Sequence, residues 1–308
     1  MLPGVDDIWL TSALTAQGYD PNELARLLRR GELARVRRGA YAAAAGEDLV
    51  REEKHRRLIH ATAPQLLDGS VVSHGSAAVL HRLPVWAAAI ALVHVTRSRS
   101  GHGKRRSLVH AHSAPLDETD IVLIDGIAVT SVSRTVLDLA RTRPMDEAVA
   151  VGDRAVREGL SPAVLAAGLL RMERWPGVRN ARRAVYFLDP RSESVGESVS
   201  RVRLYTDGLP APDLQQEIIG PDGRVVARVD FLWKEQRTVG EFDGKVKYGR
   251  TLHPGQDVEE VLVDEKTRED LIRDCDLQVA RWIWRDFYRP GVIRDRVRRA
   301  FARSARHG

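Results

Sequence analysis

Apolar positions change their spacing several times along the chain, and each change predicts an element. Trp9 to Gln17 is apolar at helical spacing and stops at Gly18. The stretch "YDPNELARLLRRG" carries its own boundaries. Asp20 can cap, Pro21 suits the first helical position, and Gly31 closes the helix. Leu24, Leu27 and Leu28 then give one apolar face. "ELARVRRGAYAA" reads as a strand, a turn at Arg38-Gly39 and a second strand. Helix, turn, helix and basic hairpin over residues 1–45 is the order of a winged helix-turn-helix. A small helical domain with a solvated basic face fits the same pattern.

Residues 46–188 predict a mixed α/β region. "VVSHGSAAVLHRLPVW" reads as a strand end followed by a helix that Pro84 stops. "LVHVTRS", "SLVHAH" and "DIVLIDGIAVTS" read as strands. "SRTVLDLARTRPMDEAVAVGDRAVREG" is two helices broken near Pro144, and "SPAVLAAGLLRM" starts with Ser161 as cap and Pro162 in the first turn. His74, His81, His94, His110 and His112 fall in different predicted elements without a tight ligand pair, so they are expected to be scattered structural histidines.

Asp189-Pro190 breaks the chain again and opens a third region, residues 189–308. A helix is predicted from near Ser194 to before Gly208. Three strands follow, "LQQEIIG", "VVARVDFLW" and "RTVGEFDG", the first two joined by the hairpin signal "PDGR". A long amphipathic helix over "DVEEVLVDEKTREDLIRDC", a strand "LQVARWIW" and a basic terminal helix complete it. Trp282 and Trp284 are expected in the core, as is Cys275, the single cysteine, which leaves no internal disulfide. The predicted class is α/β (α+β).

Charge sharpens this picture. The formal net charge is only +6, but it is clumped. Arg26 to Arg38 holds six arginines against one acid, and Arg97 to Arg106 holds five basic residues and no acid. Such clumps attract polyanions by counterion release. In the winged-helix reading, the second helix presents Arg26, Arg29 and Arg30 to a major groove. The hairpin then offers Arg35, Arg37 and Arg38 to phosphates. Double-stranded DNA is the expected partner. No run approaches a membrane span, and "MLPGVDDIW" lacks the pattern of a signal peptide, so a cytoplasmic location is expected.

Acids on the strand pattern carry the candidate chemistry. Asp230 sits between Val229 and Phe231, and Glu241 and Asp243 flank Phe242. Side chains alternate along a strand, so Glu241 and Asp243 share a face. A short turn at Lys234–Arg237 can bring Asp230 beside Glu241. Crowded carboxylates repel, a divalent cation removes that cost, and oxygen ligands favour Mg²⁺ or Mn²⁺. Asp243-Gly244 also reads as a plain turn, and Ser194-x-x-Glu197 as a capping box.

The order "SESVGESVSR", "GLPAPDLQQEI", "VDFLW", "EFDGKVKYG", "EKTRED", "WIWRDF" resembles PD-(D/E)XK nucleases, near the very-short-patch-repair (Vsr) endonucleases and their actinobacterial relatives. This resemblance runs from about Ser192 to Asp286 and implies a restriction-endonuclease-like domain. It implies that Asp230 and Glu241 are metal ligands and that Glu197 is an accessory acid. Asp243 stands where the signature has lysine. Lys245, Lys247, or Lys266 and Arg268 from the long helix would then supply the cation, and Arg201 and Arg281 would contact phosphate. At the front, "RRGELARVRRGAY" and "SVSRTVLDLAR" resemble AbiEi-type antitoxins. The leading expectation is a DNA-binding protein with a metal-dependent endonuclease domain. The alternative is a non-catalytic regulator or antitoxin of a type IV toxin-antitoxin-like system, acting on its own promoter or a toxin partner and using the nuclease fold as scaffold.

Overall fold

The computed structural model describes residues 8–44, 49–98, 108–244 and 267–306. The chain divides into two compact units, Met1–Arg143 with Leu160–Val185, and Pro144–Gly159 with Tyr186–Gly308. Among the described residues three sheets form, and the class is mixed α/β as the patterning predicts.

The first unit opens with β1 (Ile8–Leu10), α1 (Thr11–Ala16), α2 (Pro21–Arg29), β2 (Leu33–Arg37) and β3 (Ala40–Ala43). The helix predicted from Trp9 begins only at Thr11. Ile8–Leu10 instead pairs antiparallel with β3, which sets Trp9 opposite Tyr41 and completes a sheet of order β1-β3-β2. Trp9, Leu14, Leu24, Leu33 and Tyr41 form its core. Asp20 caps α2 as expected, its Oδ1 accepting the Glu23 N–H at 2.8 Å. The result is a winged-helix-like segment.

Then come α3 (Arg51–Thr62), β4 (Val71–Val72), α4 (His74–Leu80), β5 (Val93–Arg97), β6 (Val109–Ser113), β7 (Ile121–Ile124), β8 (Ile127–Thr130) and α5 (Val132–Thr142). After α6 (Met145–Arg157), which belongs to the second unit, follow α7 (Pro162–Arg171) and α8 (Val178–Tyr186). The five strands order as β6-β5-β4-β8-β7, with Ile59, Val72, Val93, Val95 and Val129 buried in one cluster. The expectation of scattered histidines is corrected here. β5 and β6 pair in parallel with His94 opposite His110 and Thr96 opposite His112. Period-2 alternation puts these side chains on one face and the valines on the other. His74 stacks on His112 with ring centroids 3.7 Å apart. Of the five, His81 stands apart, its Nε2 on the Thr130 carbonyl at 2.7 Å.

The second unit holds α6, α9 (Val195–Thr206), β9 (Asp213–Ile219), β10 (Val225–Trp233), β11 (Thr238–Asp243), α10 (helical residues 267–274), β12 (Gln278–Ile283) and α11 (Val292–Ser304). Strand order is β12-β11-β10-β9. β11 pairs antiparallel with β10 and parallel with β12. Trp282 is fully buried, as expected, with its Nε1–H on Ser200 Oγ at 2.7 Å. Burying a side chain of that size contributes roughly 1.5–3 kcal/mol or more. Trp284 lies past the strand end, in a 3-10 turn, edge-on to Phe242. Gly196 is what lets α9 approach the sheet, because a Cβ there would enter the ring of Phe242. Phe242 sits between Glu241 and Asp243, so this packing fixes the end of β11 that carries both acids.

Candidate functional site

A pocket of about 200 Å³ opens at that strand end, lined by Asp230, Glu241, Phe242, Asp243, Gly244, Arg268 and Arg281. Its construction follows from register. β10 and β11 pair up to Phe231–Gly240, and one step further Asp230 comes beside Glu241. There the ladder stops, and the Asp230 carboxylate takes over as acceptor, its Oδ2 receiving the Phe242 N–H at 2.9 Å. Asp230 Oδ1 accepts from Gln215 Nε2 at 3.3 Å, and the same amide donates to Glu197 Oε2 at 2.9 Å. Gln215 therefore links two of the predicted acids. Sequence reasoning missed it; the available signal was a polar pair inside the apolar strand "LQQEII".

Glu197 sits at the capped start of α9 and faces the pocket acids. Its backbone N–H donates to Ser194 Oγ at 3.1 Å, but its Oε2 accepts the N–H of Glu193, one residue before the cap, at 2.8 Å, so the predicted capping box forms only on the Ser194 side. It is also buried beside Asp230. Burial is the main reason the Asp230 carboxyl is pushed up to about 6, with the charges of Glu197 and Glu241 adding to it. The Phe242 N–H and the Gln215 amide oppose the shift.

Glu241, only 6% exposed, is compensated by arginines. Arg268 Nη2 donates to its Oε1 and Arg281 Nε to its Oε2, each at 2.7 Å. Arg268 also reaches the Arg228 carbonyl at 2.7 Å. Arg268 thus reaches the site from α10. Arg281, expected at phosphate, is instead spread over Glu241 and, at 3.3 Å, Glu269. Arg201 also leaves the phosphate-contact set. It lies against Asp153 at 2.8 Å and donates to the Phe187 carbonyl, because a guanidinium on a side chain only 10% exposed must find acceptors. Lys245, Lys247 and Lys266 lie outside the described residues.

In the winged-helix-like segment, Arg26, Arg29, Arg30, Arg35 and Arg38 are exposed. Arg26 and Arg30 have loose ion pairs with Glu23 at 3.6 Å and Glu32 at 3.8 Å, weak links that a polyanion can replace. Arg37 corrects the expectation. It is 9% exposed, with Nε on the Ala61 carbonyl at 2.9 Å, Nη2 on the same carbonyl and Nη1 on the Arg38 carbonyl. Simple alternation would give Arg35 and Arg37 one face. The register shift between them turns Arg37 inward as a latch on α3.

A family described as "Transcriptional regulator, AbiEi antitoxin" matches residues 11–44. That is the helix–helix–hairpin segment. Two proteins of Mycobacterium tuberculosis, described as uncharacterized and from strains CDC 1551 and H37Rv, are each 27% identical over 160 residues. These matches cover 47% of this chain and 59% of the relatives' length. The crystal structure of the RV2827C protein from Mycobacterium tuberculosis is similar at a TM-score of 0.37 and 15% identity, over 70% of this chain and 84% of that one. Among the described residues no helix is long and apolar enough to cross a membrane.

Proposed function

We propose that this protein is a DNA-binding transcriptional regulator of the antitoxin type, with α2 and the β2–β3 hairpin as its duplex-binding element. One observation carries the reading: the antitoxin-family match falls on the segment that exposes Arg26, Arg29, Arg30, Arg35 and Arg38 together. α2 is short, apolar on the side facing Leu14 and Leu33, and arginine-bearing on the other. That is what a helix entering a groove needs. The partner is duplex DNA, its own promoter being the first candidate, with a toxin protein as the second kind of partner. The test is duplex affinity by fluorescence anisotropy across a salt series. The Arg26→Ala, Arg29→Ala, Arg30→Ala triple variant is expected to bind more weakly. Its salt slope should fall by roughly 1 for each phosphate that the variant no longer neutralises. Arg37→Ala should act through stability and leave the slope of the folded protein alone. An unchanged slope in the triple variant would remove α2 from the interface.

A second reading, a Mg²⁺- or Mn²⁺-dependent endonuclease of the PD-(D/E)XK kind, is favoured by the meeting of Asp230, Glu241 and, through Gln215, Glu197. As arranged, the donor set does not fit a divalent cation. Both oxygens of Glu241 carry guanidinium hydrogen bonds, and those of Asp230 carry the Phe242 N–H and the Gln215 amide. This reading needs Arg268 or Arg281 to leave Glu241, with Asp243 and Lys245 as further candidates for the reaction. Plasmid incubation with Mn²⁺ decides it. Under the leading reading, wild type and Glu241→Ala leave the plasmid equally intact. Cutting by wild type that Glu241→Ala abolishes would put the nuclease first.

A further inference from the structure

The first unit carries a cluster that neither reading uses. His74, His94 and His112 each offer a ring nitrogen, and the three nitrogens lie within 4.8 Å of one another. Among the described residues this is the one group of three or more histidine, cysteine or acidic side chains that meets that distance. We propose that these three imidazoles hold a divalent d-block cation of the zinc class, with a fourth position left open.

The chemistry of the donors sets the class. Three imidazole nitrogens suit zinc and its d-block neighbours, whereas magnesium and calcium want oxygen. Three protein ligands plus one open position is the coordination of zinc sites that bind a water or a small ligand. The imidazoles must be neutral to ligate.

The scaffold is rigid where it needs to be. His94 and His112 come from adjacent parallel strands with fixed register. His74 sits at the start of α4 with φ of 52°, a left-handed conformation uncommon for a residue with a side chain. Gly75 next to it packs so closely on the Ala89 backbone that no Cβ would fit. Strain of this kind persists where the surroundings impose it, and it clusters at functional sites. Behind the ring, Ser73 Oγ lies 3.0 Å from His74 Nδ1 and accepts from Thr96 Oγ1 at 2.8 Å. A proton on His74 Nδ1 directed at that oxygen leaves Nε2 as the ligand, the usual way an outer partner fixes a metal-binding histidine. His94 and His112 are half-buried, which gives an ion access.

Binding requires a small adjustment. His94 Nδ1 and His112 Nε2 now share a hydrogen bond of 2.9 Å. Around zinc, with bonds of about 2.0–2.1 Å, two ligand nitrogens stand roughly 3.3 Å apart. The shared proton moves to the other nitrogen of its ring. The His74 and His112 rings, now nearly parallel at 14°, tilt so that both lone pairs point at the ion.

The test uses the full chain, stripped of metal and without a histidine tag. Co²⁺ titration is expected to give visible d–d bands that saturate at one equivalent, and Zn²⁺ should displace it. The His94→Gln, His112→Gln double variant should bind at least about 10–100-fold more weakly, the range seen when even an outer partner is removed. Ser73→Ala should weaken binding about 10-fold, and His81→Gln should bind like wild type. Absence of saturable binding to wild-type protein overturns the proposal, whatever the variants do. Binding undiminished in a folded double variant also overturns it. If that variant does not fold, the imidazole proton signals of Co²⁺-loaded wild type decide: three strongly shifted rings support the site, and none refutes it.

Discussion

Replacing Arg134 by alanine is expected to cost about 3–5 kcal/mol of folding stability, the range found when one partner of a buried ion pair is removed. Arg134 is 2% exposed. Its Nε donates to Asp138 Oδ2 at 2.9 Å, and its Nη1 to Asp120 Oδ2 at 2.7 Å and to the Pro115 carbonyl at 2.9 Å. The guanidinium also lies 4.9 Å from the Trp175 ring centroid. Alanine would leave Asp138, which is fully buried, with Arg141 as its one ion-pair partner among the described residues. Asp120 would keep, among the described residues, the longer ion pair to Arg171 at 3.3 Å. Lysine should recover little, since a single ammonium cannot span both carboxylates and the carbonyl as the fork does. Urea unfolding followed by circular dichroism measures the loss. Hydrogen exchange at the α5 amides places it in the first unit, which matters because a chain of two units need not unfold in one step. A loss under about 1 kcal/mol would mean that the network is not the clamp its burial suggests.

The Arg134, Asp138 and Arg141 part of that network lies within "SVSRTVLDLAR". Ser131 caps α5, and Arg134 and Asp138 meet one turn apart. Features set by neighbours in the chain are legible in this way: the Asp20-Pro21 start of α2, the Ser161-Pro162 start of α7, the Ser194 cap of α9 and the β9–β10 hairpin. What stays hidden depends on pairing between distant segments. The alternation V-H-V-T and V-H-A-H is visible, but only the parallel register of β5 and β6 turns it into a cluster. The placement of Asp230 by Glu241 follows from a short turn and alternation. Their compensation does not, because Arg268 and Arg281 arrive from 27 and 40 residues away. Arg37 defeats the alternation for a local reason that leaves no mark on the sequence, since a register shift reverses the face of every residue beyond it.

Asp230→Asn is expected to stabilise the protein at pH 8 and to do almost nothing at pH 4. The folded chain pushes this carboxyl from an ordinary 3.8 up to about 6, with burial as the first cause and the charges of Glu197 and Glu241 behind it. The sign follows from linkage. Below pH 3.8 both folded and unfolded chains hold the proton, and the site costs nothing. As pH rises the unfolded chain ionises first, so stability falls until the folded carboxyl also ionises near pH 6. Above that the penalty is constant. At about 1.4 kcal/mol per unit, and allowing for the water that still reaches a half-buried group, it comes to about 2–3 kcal/mol. Asparagine keeps a carbonyl for the Phe242 N–H and carries no charge, so it should recover most of that amount. The quantity to measure is the difference in unfolding free energy between wild type and variant at several pH values from 4 to 8. It should grow across that window and level off above pH 7. A flat difference would mean that the acids of this pocket share no electrostatic cost, and that Arg268 and Arg281 already balance Asp230 as fully as they balance Glu241.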